Sequence, residues 1–232
     1  MRESYKIAVA PASGKAGASF VCGLLAGRLA DKKTRVTLAE LGSPYFYSAL
    51  GMEKRFVVRN FIPYCELLKN GASVKELDNT EEGINWALLR PGKDSTPSPA
   101  ELFRFIYNVP GETVILDCSG LDRDCTMNVL AEADRKIIVV DPLPTKLMDN
   151  YNYLTELRLK FPQAIYVANR MNKGVSRSEF NRFLGTKNYV PLPALDAELI
   201  YRAEYACILP CSIKEVRTAT ADGLSQIEKA LV

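Results

Sequence analysis

The stretch "KIAVAPASGKAGASFVCGLLAGRLA", residues 6–30, passes from a short apolar run through a loop of small residues into a segment with apolar positions at Phe20, Leu24, Leu25 and Leu29. Strand, small-residue loop and helix in that order is the layout of a phosphate cradle, in which the free N–H groups of a helix N-terminus face the ligand. The loop departs from the G-x-x-x-x-G-K-[ST] form, because Ala18 stands directly before Ser19 where that form has lysine. Gly14 and Gly17, flanked by Ala12, Ala16 and Ala18, let backbone approach a phosphate, and Ser19 stands where a hydroxyl ligates Mg2+. A turn made of small residues for packing alone accounts for the same letters. On the loop by itself both readings stand.

Short apolar runs recur along the chain: 5–10, 35–41, 84–89, 113–118, 136–141 and 164–170. They are too continuously apolar for strands with one wet face, and helix-like stretches separate them. That combination predicts a doubly wound α/β fold, a mostly parallel sheet covered by helices on both faces, as one domain over 1–232. Helices are expected over 17–30, from Ser98 onward, and over 145–160, 176–185 and 195–206. Ser98 reads as a cap, with Pro99 at the first turn and Glu101 three residues on. The segment 90–99, "RPGKDSTPSP", is the most loop-like.

Composition narrows the function. Among 232 residues the net charge is +3 with 25% charged residues, so bulk charge gives no reason to expect nucleic-acid binding. The six cysteines, at 22, 65, 118, 125, 207 and 211, lack both disulfide-framework and zinc-site spacing, which predicts reduced thiols and a cytoplasmic protein. No apolar run approaches the roughly 18 residues of a membrane span. With no histidine in the chain, Ser/His and Cys/His nucleophiles are excluded and proton transfer falls to carboxylate, lysine, tyrosine, cysteine or water.

The order of elements resembles the ParA/MinD family of deviant-Walker P-loop ATPases over about 200 residues. "SGKAGASFVCGLLAGRLADKKTRVTLAEL" is similar to that family's K-G-G-x-G-K-[ST] loop, helix and second strand. "VILDCSG" resembles its Walker B strand, "VANRMNKGVS" its base-reading strand end, and "YVPLPALDAELIYRAEYACILP" its closing segment. Within the family the loop is most like the CpaE/TadZ pilus-assembly localisation group, where alanine replaces the Walker lysine as at Ala18. Ser13 falls where the family's signature lysine stands, and Lys15 where a glycine stands. A lysine bonded to phosphate is worth about 1.5 to 3 kcal/mol, so the loss of both weakens ATP by roughly ten- to a thousandfold. Lys15 either restores part of that charge or points into solvent.

The resemblance implies an adenine-nucleotide-binding dimeric switch using ATP or ADP with Mg2+, at most a slow ATPase. It also implies a protein partner in a pilus, secretion or division assembly that recruits it to the inner membrane or cell pole. The implied cofactor contacts are Gly14, Lys15, Ala16, Gly17, Ala18, Ser19 and Phe20 at the loop, and Asn169, Arg170, Pro191, Leu192 and Pro193 at the base. Ser19 and Asp117 are the implied metal residues, and Asp117 and Glu40 the catalytic ones. Asp117 otherwise caps the turn after its strand, Glu40 is otherwise an ordinary strand end, and Asn169 and Arg170 otherwise form a self-capped turn. Gly42 stands where a second family aspartate often does. Two alternatives remain: a nucleotide-free scaffold on the same fold, and an ATP-dependent enzyme of the same superfamily, for which a lysine-bearing loop is expected. The terminal stripe Leu224, Ile227 and Leu231 is expected to pack on the domain rather than to anchor it to a membrane.

Overall fold

Alternating side chains of the first strand, Tyr5–Pro11 (β1), enter two different cores: Ile7 and Val9 on one face of the sheet, Ala8 and Ala10 on the other. The computed structural model describes residues 4–58, 60–69, 78–92 and 97–232, with the backbone alone at Cys65, Leu68 and Lys69. The remaining strands are Val36–Glu40 (β2), Thr80–Glu81 (β3), Ile84–Ala87 (β4), Thr113–Asp117 (β5), Arg135–Val140 (β6), Ile165–Met171 (β7) and Val190–Pro193 (β8). They form one sheet in the order β3-β4-β2-β5-β1-β6-β7-β8, parallel throughout except for the β3–β4 pair.

The six expected strands are present, and the structure adds β3 and β8, whose runs are too short or too rich in proline to stand out. The helices are Ala18–Asp31 (α1), Phe46–Ala49 (α2), Met52–Arg55 (α3), Tyr64–Lys69 (α4), Pro99–Asn108 (α5), Arg123–Glu132 (α6), Pro144–Asp149 (α7), Tyr151–Lys160 (α8), Arg177–Leu184 (α9), Ala197–Tyr205 (α10) and Lys214–Leu231 (α11). Of the loop-like 90–99 segment, residues 93–96 lie outside the described residues. Its end carries the expected capping box: the Ser98 hydroxyl accepts from the Glu101 amide, and the Glu101 carboxylate accepts from the Ser98 amide at 2.8 Å.

Packing follows from side-chain size. Ala8, Ala10, Ala39, Ala87 and Ala168 line one face, leaving depth for Tyr64, Phe105, Met127 and Tyr153 from the helices above. On the other face α1, α10 and α11 cover Ile7, Val9, Leu38, Ile115 and Val139. The expected single helix over 145–160 is two. The Asn150 side-chain amide donates to the Lys146 carbonyl at 3.0 Å, taking a helical acceptor and breaking the axis between α7 and α8. As expected from its stripe, α11 buries Leu224, Ile227 and Leu231.

Candidate functional site

The carboxyl ends of β1, β5, β7 and β8 surround a cavity of about 810 Å³. Its floor is the β1–α1 loop, residues 11–19. Gly17 precedes α1 in the left-handed region at φ 95°, and the first turn of α1 holds no acidic residue, so nothing negative competes for its amides. A Cβ at Gly17 would sit 2.3 Å from Asn169 Nδ2.

The loop is fastened by its carbonyls. Asn169 Nδ2 donates to Ala16 O at 2.9 Å, Arg170 Nη1 donates to Lys15 O at 3.0 Å, and Lys146 Nζ lies 3.4 Å from the same oxygen. Both cations also meet the Asp141 carboxylate at 2.8 Å. Burial alone would raise Asp141, but the Lys146 ammonium, the Leu143 amide and the Arg170 guanidinium outweigh it and hold it below the usual carboxylate range. Arg170 sits at φ 63°, where β7 slips register against β8 between Ala168 and Met171, and that irregularity brings Asn169 and Arg170 to the loop. Both side chains fasten the loop and also line the cavity wall.

Asp117 is buried, does not itself line the cavity, and uses its two oxygens differently. Oδ1 accepts from the Ser119 amide at 3.0 Å, capping the turn, while the buried Oδ2 has no partner among the described residues. Burial pushes its carboxyl up, against the Ser19 and Ser119 hydroxyls that pull it down. Ser19 Oγ donates to Ser119 Oγ at 3.1 Å, so loop and strand end meet at this carboxylate. An unpaired buried oxygen beside a serine hydroxyl fits a divalent cation held through water.

Glu40 does not reach the cavity. It is fully buried, with Oε1 accepting from the Tyr45 and Phe46 amides, both at 2.7 Å, and Oε2 accepting from the Leu89 amide at 3.1 Å. It joins the end of β2 to α2 and to the end of β4, buried away from the cavity where a water would have to be oriented. Gly42, beside it, would place a Cβ 2.4 Å from Leu121 N and 2.5 Å from the Gly120 carbonyl carbon. The backbone after β5 occupies the space an aspartate would need.

Of the base-side residues, Pro193 lines the cavity with Ala194, Leu195 and Ile200, but Pro191 and Leu192 do not. Leu192 is turned under the sheet against α11, where a Cβ on Gly223 would meet its Cδ2 at 2.5 Å. Ser13 is buried with its hydroxyl unpartnered among the described residues, above a cavity of about 10 Å³ that it shares with Asp141, Lys146 and Asn150. Gly14 and Lys15 are exposed at the rim, Phe20 lines the wall, and Ala16 and Ala18 are buried. Sequence reasoning missed Tyr45, Ser119, Arg123, Asn150 and Tyr153, all on the cavity wall. The signal for Arg123 was Asp122, whose carboxylate caps α6 by accepting from the Cys125 amide at 2.7 Å. Cys22 and Cys118 are buried, and among the described residues no cluster of three His, Cys, Asp or Glu could hold a metal.

A parallel sheet with a small-residue loop at a helix N-terminus, backed by a buried aspartate at the neighbouring strand end, defines a P-loop nucleoside-triphosphatase fold. Solved structures refine this. The cell-division ATPase MinD of Pyrococcus furiosus aligns at TM-score 0.74 and 18% identity, over 97% of this chain and 99% of that one. A ParA-family ATPase from Chlorobium tepidum aligns at 0.73 and 14%, over 96% and 99%. The septum site-determining protein MinD of Pyrococcus horikoshii, complexed with Mg-ADP, aligns at 0.72 and 16%, over 97% and 96%. No protein-family model and no curated protein sequence matches the chain. The fold is that of the MinD and ParA ATPases.

Proposed function

We propose that the chain is a nucleotide-responsive switch that binds ATP or ADP with Mg2+ at the β1–α1 loop, dimerises, and turns over slowly. The observation that carries this reading is Asp117 Oδ2, buried and unpartnered next to Ser19 at the head of α1. Ser19 and Asp117 would hold the metal, which when bound neutralises phosphate charge and orients the terminal group. The amides at the start of α1 face the phosphates. Pro193, Leu195 and Ile200 supply the apolar wall for a base, and the clamp of Asn169, Arg170 and Lys146 keeps the loop in shape. Slow turnover follows from Glu40 and Gly42, since the first is buried off the cavity wall and the second leaves no room for a carboxylate. The CpaE/TadZ-like loop, with Ala18 before Ser19, and the Mg-ADP complex of the Pyrococcus horikoshii protein support the reading. Its output is the positioning of a pilus, secretion or division assembly through a protein partner. Among the described residues no helix is long and apolar enough to cross a membrane.

The scaffold alternative is favoured by the loss of both lysines, with Ser13 and Ala18 in their places. Thermal unfolding with and without Mg-ATP separates the two. Saturation to about a hundred times Kd stabilises a binding protein by about 2.7 kcal/mol. The switch predicts a rise in Tm at millimolar Mg-ATP that Asp117→Ala and Ser19→Ala reduce, and an unmoved Tm in the wild type would assign the chain to the scaffold class.

A further inference from the structure

The cavity wall is electrostatically one-sided: it carries Lys15, Arg123 and Arg170 and no carboxylate. Arg170 shares the Asp141 carboxylate with Lys146. Among the described residues neither Lys15 nor Arg123 has a carboxylate within ion-pair distance. Arg123 is nevertheless held. Its guanidinium carbon lies 4.8 Å from the centre of the Tyr153 ring, and Nη2 donates to Asn150 Oδ1 at 3.3 Å. Asn150 also borders the small cavity beneath the loop together with Ser13, which places Arg123 on the Ser13 side of the loop.

The sheet order gives a direction. Pro193 ends the outer strand β8 and Ile200 lies in α10 after it, the loop follows β1, and Ser119 and Arg123 follow β5 on the far side of β1. A nucleotide with its base on the apolar wall and its inner phosphates at the α1 amides would therefore run out toward Ser119 and the Arg123 side of the cavity.

We propose that Arg123 recognises the terminal phosphate of a nucleoside triphosphate, supplying from α6 the charge that the loop lacks and so selecting triphosphate over diphosphate. This rests on the nucleotide reading above. An arginine without a carboxylate partner offers its whole charge and two parallel N–H donors to a phosphate, and the Tyr153 and Asn150 contacts reduce the rotamer freedom it loses on binding. Lys15, at the exposed rim, supplements the charge without setting which phosphate is read.

Titration calorimetry of the full chain with Mg-ATP and with Mg-ADP tests this on the wild type, Arg123→Gln and Arg123→Lys. Arg123→Gln is expected to weaken ATP about ten- to a hundredfold while leaving ADP within about twofold, and Arg123→Lys to recover part of the loss. Arg123 is exposed, so the unliganded variant should unfold at the wild-type temperature. Wild type binding neither nucleotide would overturn the nucleotide reading itself. If the wild type binds ATP and Arg123→Gln binds it equally well, or loses ATP and ADP alike, the assignment of Arg123 fails while the nucleotide reading stands.

Discussion

At Gly17 two constraints coincide: a left-handed backbone at φ 95° and a neighbouring amide nitrogen 2.3 Å from where a Cβ would lie. Gly17→Ala therefore strains the backbone and displaces Asn169 from Ala16 O. We expect a loss of about 1 to 3 kcal/mol by chemical denaturation, together with loss of the Mg-ATP shift in Tm. Glu40 offers a test by pH. Burial pushes it from the ordinary 4.5 up to about 8, although the Phe46, Tyr45 and Leu89 amides pull the other way and Asp117 adds repulsion. Folding thus favours its protonated form, so the stability it contributes is fully present below about 4.5 and is lost as pH rises through 8. Denaturation midpoints of the wild type should fall across that window. Glu40→Gln, neutral at every pH, should flatten the profile, and a wild-type slope unchanged in the variant would refute the assignment. Glu40→Ala leaves three buried amides unpaired and costs roughly 1 to 3 kcal/mol for each one that water cannot reach.

Between elements, the decisive contact is where the turn after β2 meets the turn after β5. Leu41 N donates to Asp117 O at 3.1 Å, and Gly42 lies against the backbone of residues 119–121. Here the absent aspartate is a steric necessity, because backbone atoms cannot yield as a flexible side chain can. Gly42→Asp, which restores the carboxylate of the resembled family, is predicted to destabilise by more than about 2 kcal/mol and to leave ATP turnover no faster, measured by phosphate release. On the other side of the loop, Asp141 joins β6, α7 and β7 through Lys146 and Arg170. Because Lys146 and Arg170 remain partly exposed, Asp141→Ala leaves neither charge buried, and its expected effect is to release both cations and loosen the loop rather than to unfold the chain.

Across the whole molecule, α11 closes the face opposite α5, α6 and α8. Ile227 is fully buried, Tyr5 donates to Leu231 O at 2.6 Å, and Glu228 meets Lys32 at 2.6 Å and Arg28 at 3.4 Å. The exposed ends of those ion pairs contribute little, so the apolar stripe carries the attachment. Ile227→Ala is predicted to cost about 2 to 5 kcal/mol in urea denaturation, against less than about 1 kcal/mol for Glu228→Gln. Equal losses would show that charge, not burial, docks the helix.

Much of this architecture was legible from local pattern. Runs such as "TVILDC" announce strands buried on both faces, Ser98-Pro99 with Glu101 announces a capped helix, and the small residues at 12–18 announce a close approach of backbone. These follow from the periodicity and backbone preferences of neighbouring residues, which any reader of the chain can count. The partners of individual side chains did not follow, because they are set between residues far apart in sequence. Arg170 and Asp141 are neighbours only because β6 and β7 pair and β7 slips its register. Glu40 and Asp117 both end apolar strands and sit side by side in the β2–β5 register, yet one is surrounded by amides and the other keeps an unpaired oxygen beside Ser19. The sequence by itself determined six of the sheet's eight strands, the loop and its place at the head of α1. Only the tertiary structure decided which carboxylate stands at the loop and which arginine of the cavity wall has no carboxylate partner among the described residues, because burial and pairing are properties of the packed chain.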